Sequence, residues 1–287
     1  MTKIALIGGS GIKDNPLFKE SNWEVCDTGY QTPFGTGLVP YQEADDVIFI
    51  PRHGMRDLPE GMPTGIYGPS KSQYAANLIA ARMLGARVVI ATSAVGSLKQ
   101  GINVETLVVP DDFVDETGRD DNLFGKDFVV HTQPRPPFSE GLRQVLFNCS
   151  NGYFNWTHLG GTCVVIPGDR FGTAAEGRKR AQYADIVGMT ICPEAMMALQ
   201  LDMHYAVACF VVDSDFDARH SQTLAVMQKL SAPDKVPAYI TEVVKRARDF
   251  QPDKLEQLVG NIIPGDINGT THPFLQRVAY ELIEKYS

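Results

Sequence analysis

The sequence has no long apolar run, no excess of positive charge and no cysteine pairing pattern, and each absence closes off a class of protein. None of its apolar stretches approaches the ~20 residues that a spanning helix needs, so no membrane passage is expected. Lysine and arginine number 26 against 34 aspartates and glutamates, a formal charge of −8. A nucleic-acid clamp carries a basic surface, so no nucleic-acid partner is expected. A small anion remains compatible, because a few placed groups bind one inside an acidic protein. The five cysteines, Cys26, Cys149, Cys163, Cys192 and Cys209, are odd in number and form no C-x-x-C, as core thiols of a reducing compartment do. The N-terminal MTKIALIGGSG has only the short apolar stretch Ile4–Ile7 before its glycines, and reads as a first strand rather than a secretory leader. The N-x-[ST] triplets at Asn148, Asn155 and Asn268 are then chance matches. A cytoplasmic protein with no metal and no cofactor is the expectation.

What is present is an ordinary globular composition. Of 287 residues, 44% are hydrophobic and 21% charged, enough to bury a substantial core. Continuous apolar runs recur at 3–7, 47–50, 87–92, 106–110, 162–166, 185–189 and 205–212. Runs that do not alternate suit strands covered on both faces. Helical patterns lie between them at 69–84, 173–183 and 193–201, each with Pro or Thr near its start. Strand and helix alternate through most of the chain, which predicts an α/β class with one large mixed sheet. Gly, Pro and charge cluster at 54–68 and 116–138, which read as loops. From Ala232 onward the patterns read as amphipathic helices with no strand, joined by a turn-rich 265–271. No linker divides the chain, so one domain over 1–287 is expected, with a core at about 3–230 and a helical tail at about 232–287.

Four segments carry chemical signals. Gly8-Gly9-Ser10-Gly11 directly follows the first run. Glycines there allow close backbone approach, and free N–H groups with a Ser hydroxyl suit an anion, although a plain structural turn fits equally. The dinucleotide fingerprint fails at Asp14, and no Walker pattern occurs. Arg52-His53-Gly54 ends the second run; Arg offers a planar fork for phosphate and His a further donor. Thr92 to Leu98 (TSAVGSL) reads as a third strand end, with hydroxyls and backbone N–H groups for one ligand. Finally, an apolar strand runs into Asp213, Ser214, Asp215, Phe216 and Asp217. Alternation places the three carboxylates on one side if the chain stays extended. Crowding and burial raise carboxyl pKa values, and an acid retained near neutrality protonates a leaving group.

In this order, IALIGGSGI (4–12), RHG (52–54), PSKSQYAANLIAA (69–81), VVIATSAVGSL (88–98), LVVPDDFVDET (107–117), GDRFGTAAE (168–176), ADIVGMTICPEAMMA (184–198) and VVDSDFD (211–217) resemble the methylthioadenosine phosphorylase branch of the trimeric purine nucleoside phosphorylases. The likeness covers roughly residues 3–220. It implies a single domain whose central mixed sheet is partly barrel-like and flanked by helices. It also implies phosphorolysis: phosphate attacks C1′ of 5′-methylthioadenosine or a related 5′-modified adenosine, adenine leaves, and a sugar 1-phosphate forms, in purine and methionine salvage. By position, Ser10, Arg52, His53, the Ala94 backbone and Thr190 would hold phosphate. Ser93 and Met189 would face the ribose, and Phe171 would stack on the purine. Ser214, Asp215 and Asp217 would meet the N7 and 6-amino edge, with Asp215 as the acid. His131 would serve a neighbouring subunit's 5′ pocket, in a homotrimer or a dimer of trimers.

The chain departs from the family pattern in places. Where the family has Glu-Gly-Pro-Arg-Phe-Ser, this chain has Pro167 to Gly172, without the Glu and with Gly172 for the Ser. The loop after Arg-His-Gly is longer, at 55–68, and Tyr67 stands about where the family brings a His. A phosphorylase for adenosine or methylthioinosine, or a nucleoside-binding paralogue without turnover, are the alternative readings.

Overall fold

A computed structural model describes residues 3–9, 12, 15–32, 35–124, 128–132, 134–215, 223–250 and 272–286, and the backbone of 259–263. Each apolar run of the sequence forms a strand: β1 (Lys3–Gly8), β4 (Val47–Pro51), β5 (Ala86–Ser97), β6 (Leu107–Val109), β10 (Thr162–Val165), β11 (Ile186–Gly188) and β12 (His204–Ser214). β1, β4 and β12 are almost wholly buried, as strands covered on both faces are. Five further strands have no continuous apolar run to announce them: β2 (Trp23–Asp27), β3 (Leu38–Ala44), β7 (Asp112–Asp115), β8 (Val129–Thr132) and β9 (Thr157–Leu159). β7 and β9 are short and polar, and β2 is the outermost strand of its end of the sheet.

Eleven strands form one mixed sheet in the order β2-β3-β4-β1-β5-β11-β10-β7, with β12 also on β5 and with β6 and β9 beyond it. The expectation that β5 ends near Thr92 needs correction: the strand runs on through Ser97. It pairs in parallel with β1 from Ala86 to Ala91 and with β12 from Val88 to Ser97, and its last residues also pair antiparallel with β11, Gly96 opposite Val187. Where the ladder to β1 stops at Ala91, β11 takes up Gly96 and Ser97, so one strand serves three neighbours. This gives the large mixed sheet with flanking helices that the sequence predicts.

The helices, among the described residues, are α1 (Tyr74–Met83), α2 (Glu140–Asn148), α3 (Ala174–Arg180), α4 (Ile191–Gln200), α5 (Thr223–Leu230), α6 (Val236–Ala247) and α7 (Pro273–Tyr286). The pattern at 69–84 is a 3₁₀ turn at Pro69–Lys71 followed by α1. α3 opens with a full capping box, the Thr173 hydroxyl accepting from the Glu176 N–H while the Glu176 carboxylate accepts from the Thr173 N–H. The tail is not purely helical: Val259–Ile263 forms strand β13, antiparallel to β8, with Asn261 opposite His131. Its VGNII sequence is too short to stand out from a helical pattern, and the ladder to β8 decides its state. Most of the neighbouring 253–259 helical pattern, and the 265–271 turn, lie outside the described residues.

β12 and α3 meet at Asp215. A Cβ at Gly177, inside α3, would stand 2.7 Å from the Asp215 carbonyl oxygen. Glycine within a helix is usually about 1 kcal/mol worse than alanine. Here the missing side chain lets the helix pack on the backbone that carries the carboxylate. Gly177→Ala is therefore expected to lower stability in chemical denaturation despite its better helix propensity. Gly101→Ala, where a Cβ meets nothing within 4 Å, serves as the control and is expected to leave the midpoint nearly unchanged. A more stable Gly177→Ala protein would contradict the packing role.

Candidate active site

The ends of β1, β4, β5, β11 and β12 open onto one cavity of about 290 Å³. Arg52, His53, Ser93, Ala94, Phe171, Met189, Thr190 and Asp215 all line it. Eight of the expected site residues are thus brought together from segments far apart in sequence. Ser214 is not among the lining residues; it lies opposite Ser97 in the β12–β5 ladder, between two aspartates that turn the other way. Ser10 and Asp217 lie outside the described residues. His131 is exposed on β8 and does not line this cavity.

At the β4 end, Arg52 is 2% exposed and its fork is turned inward. Nε donates to Glu194 Oε2 at 2.7 Å and Nη2 to Oε1 at 2.8 Å. Nη1 donates to the Thr92 carbonyl at 2.7 Å, and Nη2 also to the Ile7 carbonyl at 3.3 Å. Burial works against the guanidinium charge, but Glu194 prevails and raises its pKa. Among the described residues four of its five N–H groups have acceptors, and the fifth is on Nη1. The sequence suggests a whole fork for an anion; its pairing with a glutamate on a distant helix is not legible there.

His53 Nδ1 lies 2.7 Å from the Ser72 hydroxyl. Burial, then the positive charges of Arg52 and Arg119, lower its pKa to about 4, against opposition from a Tyr67 backbone hydrogen bond and from Asp169. The imidazole is neutral at pH 7, and acts as a dipolar hydrogen-bond partner, not as a cation. Ser93 and Thr190 meet through their hydroxyls at 3.0 Å, so the second half of β5 and the start of α4 present one hydroxyl pair to the cavity. Nothing in its own segment marks Ser72 for the site; its role comes from a contact that only the fold creates.

At the β12 end, the register slips between Val211 and Asp213, and both Asp213 and Asp215 line the cavity. They are 4% and 6% exposed, and the Asp213 carboxylate accepts from the Thr223 hydroxyl at 3.1 Å. Two glycines leave room for them. A Cβ at Gly96 would stand 2.7 Å from Asp213 Oδ1 and 3.4 Å from Asp215 Oδ1, and one at Gly172 3.1 Å from Asp215 Oδ2. Gly172, where the family has Ser, thus borders the carboxylate directly. The half-exposed Phe171 ring stands on the same loop. Met227 and Leu230 of α5, with Val236 of α6, add an apolar wall. The contribution of α5 and α6 to the cavity is invisible in the sequence because it depends on how these helices return to the sheet. Among the described residues, no group of three His, Cys, Asp or Glu is placed to hold a metal ion, and no helix is long and apolar enough to cross a membrane.

The family model described as the phosphorylase superfamily matches residues 3–242. S-methyl-5′-thioadenosine phosphorylase of Pyrobaculum aerophilum is 35% identical over 256 residues, covering 88% of each chain. The protein of the same name from Pyrococcus furiosus is also 35% identical, covering 88% of this chain and 95% of its own. Among solved structures, a methylthioadenosine phosphorylase from an antarctic soil metagenomic library superposes with a TM-score of 0.79 at 27% identity, covering 96% and 98% of the two chains. A mutant adenosine/methylthioadenosine phosphorylase from Schistosoma mansoni, in complex with methylthioadenosine, gives 0.73 at 29% identity, covering 88% and 94%.

The state of His53 is directly measurable. Its depressed pKa means that the folded protein resists protonation. The stability held above the ordinary histidine value of 6.5 is lost as pH falls from there toward about 4. Imidazole NMR should find His53 titrating near 4, well separated from an exposed histidine. A midpoint above 6 would contradict the buried, neutral assignment.

Proposed function

The chain belongs to the phosphorylase superfamily, and from that membership and the cavity we propose that it catalyses phosphorolysis of 5′-methylthioadenosine or a closely related 5′-modified adenosine. The observation that carries this reading is the convergence of His53, Ser93, Ala94, Thr190, Phe171 and Asp215 on one volume. Phosphate would be held by the one available Arg52 N–H, His53, the Ala94 backbone and Thr190, with Ser10 from the glycine turn. Ser93 and Met189 face the ribose, and Phe171 covers the base. The C1′–N9 bond breaks as a phosphate oxygen bonds to C1′, and the electron pair of the broken bond goes to the purine. Positive charge builds on the sugar and negative charge on the base, so groups that meet these charges accelerate the step. Asp215 gives a proton to N7, and adenine and the 5-substituted ribose 1-phosphate leave. With Asp217, it also accepts from the 6-amino group, which favours adenine over 6-oxopurines.

The apolar wall of Met227, Leu230 and Val236 supports a methylthio group in preference to a 5′-hydroxyl. We place His131 in the 5′ pocket of a neighbouring subunit, in a trimer or a dimer of trimers; its exposure on β8 suits that role. The five buried, unpaired cysteines suit a cytoplasmic setting, and phosphate is the only co-substrate required.

A phosphate-dependent panel of 5′-modified adenosines and inosines tests the reading. Adenine release from 5′-methylthioadenosine should need phosphate and exceed release from adenosine. Asp215→Asn should slow that release by about 10²–10⁴-fold, the usual contribution of a general acid, and shift preference toward 6-oxopurines. Binding of 5′-methylthioadenosine without turnover would favour the non-catalytic alternative. Faster release from adenosine, or from methylthioinosine, would favour the other substrates.

A further inference from the structure

A phosphate dianion needs positive charge near it, and the residues at the phosphate end of the cavity supply little. Arg52 is neutralised by Glu194 across two short hydrogen bonds, and burial keeps His53 uncharged at neutral pH. A third cation stands just behind the wall. Arg119 lies on the loop after β7 and does not line the cavity. Its Nη1 donates to the Met189 carbonyl at 2.8 Å and the Cys192 carbonyl at 2.7 Å, on either side of the cavity-lining Thr190. Nη1 also reaches the Tyr74 hydroxyl at 3.3 Å, and Nη2 donates to the Pro167 carbonyl. The guanidinium carbon sits 5.2 Å from the centre of the Tyr74 ring.

Every one of these partners is neutral. Among the described residues no carboxylate pairs with Arg119, whereas Arg52, Arg180 and Arg170 each hold a glutamate. Nε of Arg119 is buried and has no hydrogen-bond partner. Among the described residues its charge thus has no carboxylate in direct contact, and it is fixed on the carbonyls that flank Thr190.

We propose that Arg119 is the positioning residue whose uncompensated charge binds phosphate, acting through the Met189–Cys192 turn without touching the ligand. The proposal rests on phosphate being the co-substrate. It accounts for an acidic protein with a neutral histidine and a neutralised arginine at its anion site. It also accounts for the shape of the turn, because one cation gathers the carbonyls of Pro167, Met189 and Cys192 and fixes the backbone on both sides of Thr190. The same charge reaches His53, which faces Arg52, Arg119 and Asp169 as its charged neighbours, with Ser72 and the Tyr67 backbone as its polar ones.

Arg119→Gln removes the charge, and Arg119→Lys keeps it while giving up the fork. Inorganic phosphate is titrated into each protein by calorimetry, and KM is measured for phosphate and for 5′-methylthioadenosine. For Arg119→Gln, the phosphate Kd and KM should rise at least about tenfold while the nucleoside KM moves less than about threefold. Arg119→Lys should hold phosphate affinity within about threefold of the unaltered protein. In Arg119→Gln the His53 midpoint should rise, and in Arg119→Lys it should stay. Equal losses for both substrates, equal behaviour of the two variants or an unmoved phosphate Kd would overturn the proposal. Should Arg119→Gln fail to fold, Arg119→Lys still decides, because a large loss of phosphate affinity there rules out charge as the cause. Calorimetry is independent of turnover. A protein that binds phosphate in this charge-dependent way but releases no adenine would fail the phosphorolysis reading alone.

Discussion

The ion pair between Arg52 and Glu194 is the constraint on which the rest of the site depends. Its side chains are 2% and 0% exposed. The Arg52 fork reaches the carbonyls of Ile7 near the end of β1 and of Thr92 within β5, while Glu194 also accepts from the Tyr205 hydroxyl on β12 at 2.9 Å. One buried network therefore registers β1, β4, β5, β12 and α4 against each other. Such a pair adds little net stability over an apolar replacement, yet breaking it by removing one partner costs about 3–5 kcal/mol. Its value lies in geometry: the strand ends that carry Ser93, Ala94 and Thr190 cannot drift apart without leaving a buried charge unpaired.

That network also divides the charge of the site. At the strand ends near Arg52 the groups in contact with the cavity are close to neutral, and the remaining positive charge lies one layer back, on Arg119. At the β12 end two buried aspartates face the same cavity. Glycines at 96, 172 and 177 shape this end more than any side chain does, because each leaves room for the carboxylates of Asp213 and Asp215 or for the backbone that carries them. One end of the cavity thus holds acids that are fixed sterically, and the other holds hydroxyls and backbone groups with a cation behind them.

Much of this was legible in the sequence where a residue's role follows from its own segment. β1, β4, β5 and β12 announce themselves because strands buried on both faces need uninterrupted apolar residues. Arg52, His53, Ser93 and Asp215 stand out because polar residues at the ends of such runs have few structural uses. Roles that arise from long-range pairing were hidden. Nothing near Arg52 reveals that Glu194 takes its fork, and nothing near Arg119 reveals which carbonyls it gathers. Short edge strands such as β7 and β9 carry too little pattern to separate from loop, and the extension of β5 through Ser97 depends on which neighbours offer it hydrogen bonds. The strand in the tail is hidden for the same reason.

The pairing of β13 with β8 has a consequence for how the chain reaches its fold. β8 emerges in the middle of synthesis, but the only ladder it forms among the described residues is with a strand near the end of the chain. Closing so long a loop is entropically slow, and until it closes β8 presents bare backbone donors and acceptors. Completion of this small sheet is thus a late event in biogenesis. A chain that stalls or is clipped before Val259 retains the sequence of the large sheet but leaves His131 on a strand with an open edge.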